Sequence, residues 1–224
     1  MITQELLDEL WDIGDPAGSE RRFAAEAASR AHSDAERAEL LTQQARALGL
    51  QERFGAGRAL LESLGQAADG AVRTRVRLEA GRLLNSAGNA AGAVIEFEDA
   101  AALARSGGLL FLEIDALHML AIADGARSGE RAAEAIDRAL AAPDDRTRRW
   151  LVSLYNNLGW SYSGAGDLDQ ALAAFRQAQD WAERVGTGQQ RAWAREAVQE
   201  CAAARRARDA RNDLPASYAR TTAV

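Results

Sequence analysis

"YNNLGWSYSGAGDLDQALAAFRQA", residues 155–178, places small residues at set intervals among aromatics around one Gly-containing break. Tyr155, Leu158, Gly159 and Tyr162 fall at helical spacing and share one face. Ala171, Phe175 and Ala178 do the same on a second helix. Gly164, Gly166 and Asp167 supply the break, and Asp167 suits the N-cap of the second helix. Gly159 and Ala171 have almost no side chain, so at a crossing of the two helices they let the backbones approach. Phe175 then fills the space beside that crossing. The product is an antiparallel hairpin with one apolar face left over. Only a neighbouring hairpin can bury that face, so the spacing predicts a stack of units.

The rest of the chain repeats the pattern. Upstream, "AGRLLNSAGNAAGAVIEFEDA" contains Gly81, Ala93, Phe97 and Ala100 at the same intervals. Between the two, "RSGERAAEAIDRAL" contains Ala132, Ile136 and Ala139. Ala93, Ala132 and Ala171 lie 39 residues apart each time, and a fixed period with a fixed internal pattern marks a repeat architecture. A looser copy has Ala45, Gly57, Leu61 and Leu64, and "DPAGSERRFAAEAA" resembles the second half of a unit with Phe23 in the large apolar slot. The 224-residue chain is Ala-rich, with 3 Pro, a composition that favours helix nearly throughout.

These residues resemble the tetratricopeptide repeat, whose signature is W-x2-L-G-x2-Y, then A-x3-F, then a Pro. Leu158-Gly159-x2-Tyr162, Ala171-x3-Phe175 and Ala178 match it. Tyr155 stands where the family often has Trp, and Glu183 sits about where the closing Pro would be. The period of 39 exceeds the family's usual 34 or so, which implies longer helices or longer turns. Residues 112–139 match in their second half only, and 38–64 match loosely. The chain is also similar to bacterial tetratricopeptide-repeat proteins of this size, on "LWDIGDPA", "ALHMLAIAD" and "RRWLVSLYNNLGW", up to about residue 195. The resemblance implies an all-α fold: an α-solenoid of about five helical hairpins, a right-handed superhelix, closed by a C-terminal capping helix. One domain over 1–211 is expected, with hairpins near 3–31, 34–66, 73–106, 109–141 and 147–185, a cap at 189–211, and a disordered tail at 212–224.

Composition narrows the function. The net charge of −6 repels nucleic acid and anionic membranes. The run Arg205-Arg206-x-Arg208 is interleaved with Glu200 and Asp209 and reads as a solvated face. Cys201 is the single cysteine, so no internal disulfide and no Cys/His metal cluster is expected. No stretch approaches a membrane span. "MITQELLDELWDIGD" is acidic and amphipathic, unlike a signal peptide, so a cytoplasmic location is expected. All 27 basic residues are Arg, a bias that suggests GC-rich codons and a bacterial origin. There is no G-x-S-x-G, H-E-x-x-H, Walker-type phosphate loop or dinucleotide fingerprint. No enzyme activity, cofactor or metal is expected.

In the family that the chain resembles, the first helices of successive hairpins line a concave groove. The resemblance implies that the residue after the small crossing residue points inward, with those four before and three after it. That selects Thr42, Arg46 and Gly49; Leu78, Arg82 and Asn85; and Asn156, Trp160 and Ser163. The unit at 112–139 is ambiguous by one residue. Taking Ala121 as its crossing residue puts His118 in the groove with Asp115 one turn earlier; taking Leu120 keeps the strict period and makes the groove residues apolar. The first is preferred because it leaves both polar side chains wet. The expected partner-binding stripe is therefore Arg46, Arg82, Asn85, His118, Asn156 and Trp160. Guanidinium groups and an aromatic suit a peptide carrying a carboxylate or acidic side chains. Trp11, Trp150, Trp181 and Trp193 are assigned to packing, and His32 to a turn. The expected function is a non-enzymatic scaffold that binds a protein or peptide segment. The alternative is a sensor in which a peptide or small acidic ligand in the same groove regulates a partner.

Overall fold

The computed structural model describes residues 2–64 and 69–212. Its helices are α1 (Gln4–Leu10), α2 (Pro16–Ala27), α3 (Asp34–Leu50), α4 (Phe54–Ser63), α5 (Gly70–Ser86), α6 (Ala90–Ser106), α7 (Leu110–Ala123), α8 (Ser128–Leu140), α9 (Asp145–Arg148), α10 (Trp150–Gly164), α11 (Leu168–Val185) and α12 (Gly188–Asn212). Among the described residues there is no strand. The fold is all-α, with sequential helices packed as neighbours in the manner of an α-solenoid. The tail expected to be disordered lies, apart from Asn212, outside the described residues.

Local chemistry sets the helix ends. Thr3, Asp15, Ser33, Asp69, Asn89, Asp144 and Asp167 each accept a hydrogen bond from a first-turn backbone N–H. These bonds satisfy donors that the helix itself leaves orphaned. Ser33 and Glu36 form a reciprocal capping box. Asp167 caps α11 through the backbone N–H of Gln170 at 3.1 Å, as its position in the sequence suggests. Four turns between helices close with the same bond, from a backbone N–H to the carbonyl five residues earlier: Arg53 to Leu48, Asn89 to Leu84, Leu109 to Ala104 and Asp167 to Tyr162. The residue before each donor is left-handed, namely Glu52, Gly88, Gly108 and Gly166.

Some helices differ from the sequence reading. α1 stops at Leu10 because Trp11 leaves the helix in an extended conformation, stacks edge-on against Phe23 and donates its indole N–H to Gln43. α2 stops at Ala27, and His32 beyond it meets Glu26 at 2.6 Å. The helix expected from 147 is divided. Asp144 caps the single turn α9, and α10 begins at Trp150.

Two compact units are present, Met1–Ala135 and Ile136–Val224. In the first, α2 packs on α3, α5 on α6 and α6 on α7, while α3, α5 and α7 lie side by side. In the second, α11 packs between α10 and α12. Its apolar cluster joins Ala171, Leu172 and Phe175 of α11 to Ala197 and Cys201 of α12. The repeat-signature side chains sit where the pattern requires. Gly81, Ala93, Phe97, Ala100, Ala132, Ile136, Ala139, Gly159, Ala171, Phe175 and Ala178 are buried, and Leu158 and Tyr162 are half-buried. The geometry of the joint is sharper than the spacing suggested. A Cβ on Gly81 would lie 2.5 Å from the Phe97 ring, and one on Gly159 would lie 2.5 Å from the Phe175 ring. The glycine makes room for an aromatic ring on the partner helix, and each ring is fully buried, contributing about 2–3 kcal/mol of apolar transfer.

Candidate functional site

The first helices of the Met1–Ala135 unit carry a line of charged side chains on the face they share. Glu39 of α3 and Arg75 of α5 pair at 3.1 Å, both almost fully buried, and Glu39 also accepts the backbone N–H of Ile2. Farther along α5, Arg82 bridges Glu79 on its own helix, at 2.6 Å, and Asp115 on α7, at 2.5 Å. Pairs as dry as these contribute little net stability, because desolvation consumes most of the Coulomb gain; removing one partner is what costs. Burial by itself raises the Asp115 carboxyl, but Arg82 and Arg46 outweigh it and hold Asp115 below its usual range. Burial likewise opposes the charge on Arg82, and Asp115 and Glu79 overcome it. Burial pushes Glu39 upward despite Arg75.

Arg46 differs from the other arginines of this face. It is half-buried, with its guanidinium 5.3 Å from the centroid of the Trp11 ring. Trp11 is held there by its indole N–H, which donates to Gln43 at 3.1 Å. Among the described residues no carboxylate lies within ion-pair distance of Arg46. Burial and the neighbouring Arg82 both depress its pKa, and Glu79 and Asp115 only partly offset them. His118 lies in the same field. Burial depresses it to about 4, Asp115 works the other way, and Arg82 and Arg46 reinforce the shift. It is therefore a neutral imidazole at pH 7.

Arg46, Arg82 and His118, three members of the expected stripe, are thus brought together, and half-buried Asn85 follows Arg82 one turn later on α5. Their chemistry differs from the sequence reading in two ways. Arg82 is already neutralised by internal carboxylates, so its charge serves the fold. Asp115, expected to be wet, is buried in that pair. Thr42 and Leu78, also assigned to the groove, are core residues at 0% and 1% exposure. The register of α7 follows the other alternative. Leu120 is 1% exposed, as befits the slot of Gly81 and Gly159, and Ala121 is half-buried. At that register His118 occupies the position of Glu79, and it lies within the field of Arg82 and Asp115.

Asn156 and Trp160 belong to the Ile136–Val224 unit. Asn156 is half-buried. Trp160 is 45% exposed and rests edge-on against Phe175, with ring centroids 5.0 Å apart. Trp193, assigned to packing, is instead 58% exposed on α12. Trp150 and Trp181 are half-buried. Arg205 and Arg208 do more than solvate the last helix: they pair with Asp169 of α11 at 2.6 and 3.1 Å. Sequence reasoning passed over Trp11 and Gln43 as functional candidates. Their signal was a stretch, Trp11-x-x-Gly14-Asp15, that ends the helix at the indole and turns the chain toward α2.

A family model described as tetratricopeptide repeat matches residues 152–184, the stretch from α10 to α11. Among solved structures, the chain is similar to the crystal structure of BtubC (BKLC) from P. vanneervenii, with a TM-score of 0.59 and 19% sequence identity over 92% of this chain and 94% of that one. At that identity the likeness speaks for the fold alone. No curated protein matches the chain. Tetratricopeptide repeats generally mediate protein–protein interaction, and proteins built from them are typically non-enzymatic scaffolds. Among the described residues no helix is long and apolar enough to cross a membrane.

Proposed function

We propose that this chain, which contains a tetratricopeptide-repeat match at residues 152–184, acts as a non-enzymatic interaction scaffold whose α3–α5–α7 face receives an acidic segment of a protein partner. The observation that supports this most is Arg46. A guanidinium half-withdrawn from water, packed on an indole near a second guanidinium and without an ion-paired carboxylate of its own, is a charge that Glu79 and Asp115 compensate only in part. An incoming carboxylate would remove that penalty and form a charge-assisted hydrogen bond in a partly dry setting. Trp11 offers the adjacent apolar surface, and Asn85 a donor and an acceptor. Trp160, nearly half exposed, and Asn156 are proposed as partner contacts of the second unit.

The test begins with affinity capture from the native cell and identification of the bound protein. Titration calorimetry of its acidic segment then compares the wild type with Arg46→Ala and Arg206→Ala. Removing a partly buried charge that holds a carboxylate weakens binding by about 2 kcal/mol, or about thirtyfold. Arg206, exposed on α12, serves as the control and leaves binding unchanged. Equal affinities for all three proteins, with unchanged circular dichroism, refute the assignment.

A further inference from the structure

The second helices of the first unit are unequal. α4 has 10 residues and α6 has 17, so α4 is about two turns shorter. It also meets α5 over far less surface than α2 meets α3 or α6 meets α7. A cavity of about 690 Å³, open along one side, is walled by α4 and α6 and floored by α5. This groove shares no residue with the Arg46 cluster.

Its floor is apolar: Val76, Ala80, Leu83 and Leu84 face it, and Phe54 and Leu61 of α4 and Leu103 of α6 close the sides. Its rim carries three arginines, Arg58, Arg73 and Arg77, against two carboxylates, Glu62 and Glu96, and is net positive. Arg77 is matched by Glu96 at 3.1 Å. Arg58 and Arg73 are exposed, and among the described residues neither side chain has an ion pair or hydrogen bond. Among the described residues no helix covers this floor.

We propose that this groove docks an amphipathic helix of a partner protein, whose apolar stripe covers the floor of α5 and whose flanking acidic residues meet Arg58 and Arg73. The shape argues for a helix. The lining runs along α5 from Arg73 to Ala87, about 20 Å of helix axis, and the trough is bounded by two helices. Such a trough accepts anchors at i, i+3, i+4 and i+7. The rim argues for acidic flanks. The acidic amphipathic helix of this chain, α1, does not serve, because its Leu7 is 1% exposed in its own core.

The test uses the full chain and a fluorescein-labelled, stapled helical peptide of about 15 residues, with Leu at the anchor spacing and Glu on the flanks. A second peptide replaces every Glu by Lys. Fluorescence anisotropy is the readout, with circular dichroism on every variant. The Glu peptide binds, and the Lys peptide binds at least about tenfold more weakly. Arg58→Glu combined with Arg73→Glu, both at exposed positions that leave the fold alone, reverses that preference. Ala80→Glu, which puts a charge on the floor, abolishes binding of both. Equal binding of the two peptides, or an unreversed preference in the double variant, overturns the proposal. So does dodecanoate binding that Ala80→Glu abolishes while neither peptide binds, which makes the groove a site for a small amphiphile. A dimer of the free chain in sedimentation, lost on Ala80→Glu, overturns it in favour of a second copy.

Discussion

Hairpins α5–α6 and α10–α11 are built on one joint and decorated in opposite ways. In each, a glycine of the first helix lies under the ring of a phenylalanine sixteen positions later, with alanines four before and three after that ring. The slot that follows the glycine holds Arg82 in one hairpin and Trp160 in the other. Arg82 is tied down by two carboxylates, while Trp160 leaves nearly half of its surface to solvent. The joint is a steric demand met by a few residues at short range, so it recurs unchanged. The following slot lies outside the joint and is free to vary, and there the chemistry of the face is set. A third hairpin, α3–α4, shows what happens when the joint itself drifts. Leu61 replaces the ring, and the space a Cβ on Gly57 would need is taken by Leu83 of α5 and the Ala45 carbonyl, each 3.1 Å away.

The shared joint is the most breakable feature. Gly81→Leu and Gly159→Leu each drive a side chain into a buried ring, which costs about 3 kcal/mol. Urea denaturation would report both losses. Gly164→Ala is the matched contrast: nothing lies within 4 Å of the added Cβ, and the helix gains up to about 1 kcal/mol from the better helix former. If Gly159→Leu unfolds at the same urea concentration as wild type, the joint has been assigned to the wrong residue.

The opposite decoration predicts a pH dependence that belongs to the polar face of the first unit. His118 titrates near 4 when folded, against an ordinary value of 6.5. The unfolded chain therefore binds more protons between those values, and stability is lost as pH falls from 6.5 to 4. The loss amounts to roughly 3 kcal/mol at most. Asp115, held low, adds a loss of the same sign at still lower pH, whereas Glu39, held high, contributes stability that disappears as pH rises. The Arg82 and Arg46 guanidiniums stay charged throughout. His118→Gln should flatten the window between pH 4 and 6.5 and leave the acid limb due to Asp115. Denaturation midpoints measured at steps across that range distinguish the two; a parallel profile in the variant would place the titration elsewhere.

A smaller effect probes the ring itself. Phe97→Leu copies into α6 what Leu61 already does in α4, and the unfilled volume costs about 1–2 kcal/mol. A loss no greater than the scatter between repeat measurements would mean that the ring is not what holds α5 and α6 together.

What could be read from the sequence follows the same division. The small residues and the phenylalanine of each joint, and the cap at Asp167, were legible because they recur at fixed short spacing, although the sequence set Gly159 against Ala171 and only the structure puts the Phe175 ring on the glycine. The Arg82–Asp115 bridge was not, because it joins residues 33 positions apart and depends on how α7 is rotated. A one-residue ambiguity there, Leu120 or Ala121, decides whether Asp115 is wet or dry. Periodicity could not resolve it, since α7 is apolar on nearly every side and buries seven of its residues. The groove beside α4 escaped for a related reason. Nothing in "LLESLGQ" marks the end of a helix as sharply as a proline would, and the early stop at Ser63 shows only once α6 is set beside it.

The smallest prediction concerns the turn in which the drifting hairpin departs most plainly from the others. Gly88, Gly108 and Gly166 carry the left-handed residue before the closing hydrogen bond, with φ of 84°, 66° and 81°. In α3–α4 that residue is Glu52, with φ of 59°. A side chain there brings its Cβ against the following carbonyl, at a cost of about 1–2 kcal/mol. Glycine relieves that strain but gives back part of the gain through the greater freedom of the unfolded chain. The exposed Glu52 side chain has no hydrogen bond or ion pair among the described residues, so nothing else is lost. Glu52→Gly should therefore stabilise the protein by about 0.5–1 kcal/mol. Gly88→Glu, the reverse exchange in α5–α6, should destabilise it by a similar amount. The two variants and their combination, compared by urea denaturation, should show shifts of opposite sign that add to nearly zero, because the turns share no partner. Destabilisation by Glu52→Gly would mean that the α3–α4 turn relies on its side chain, and the likeness among the four turns would end at the backbone.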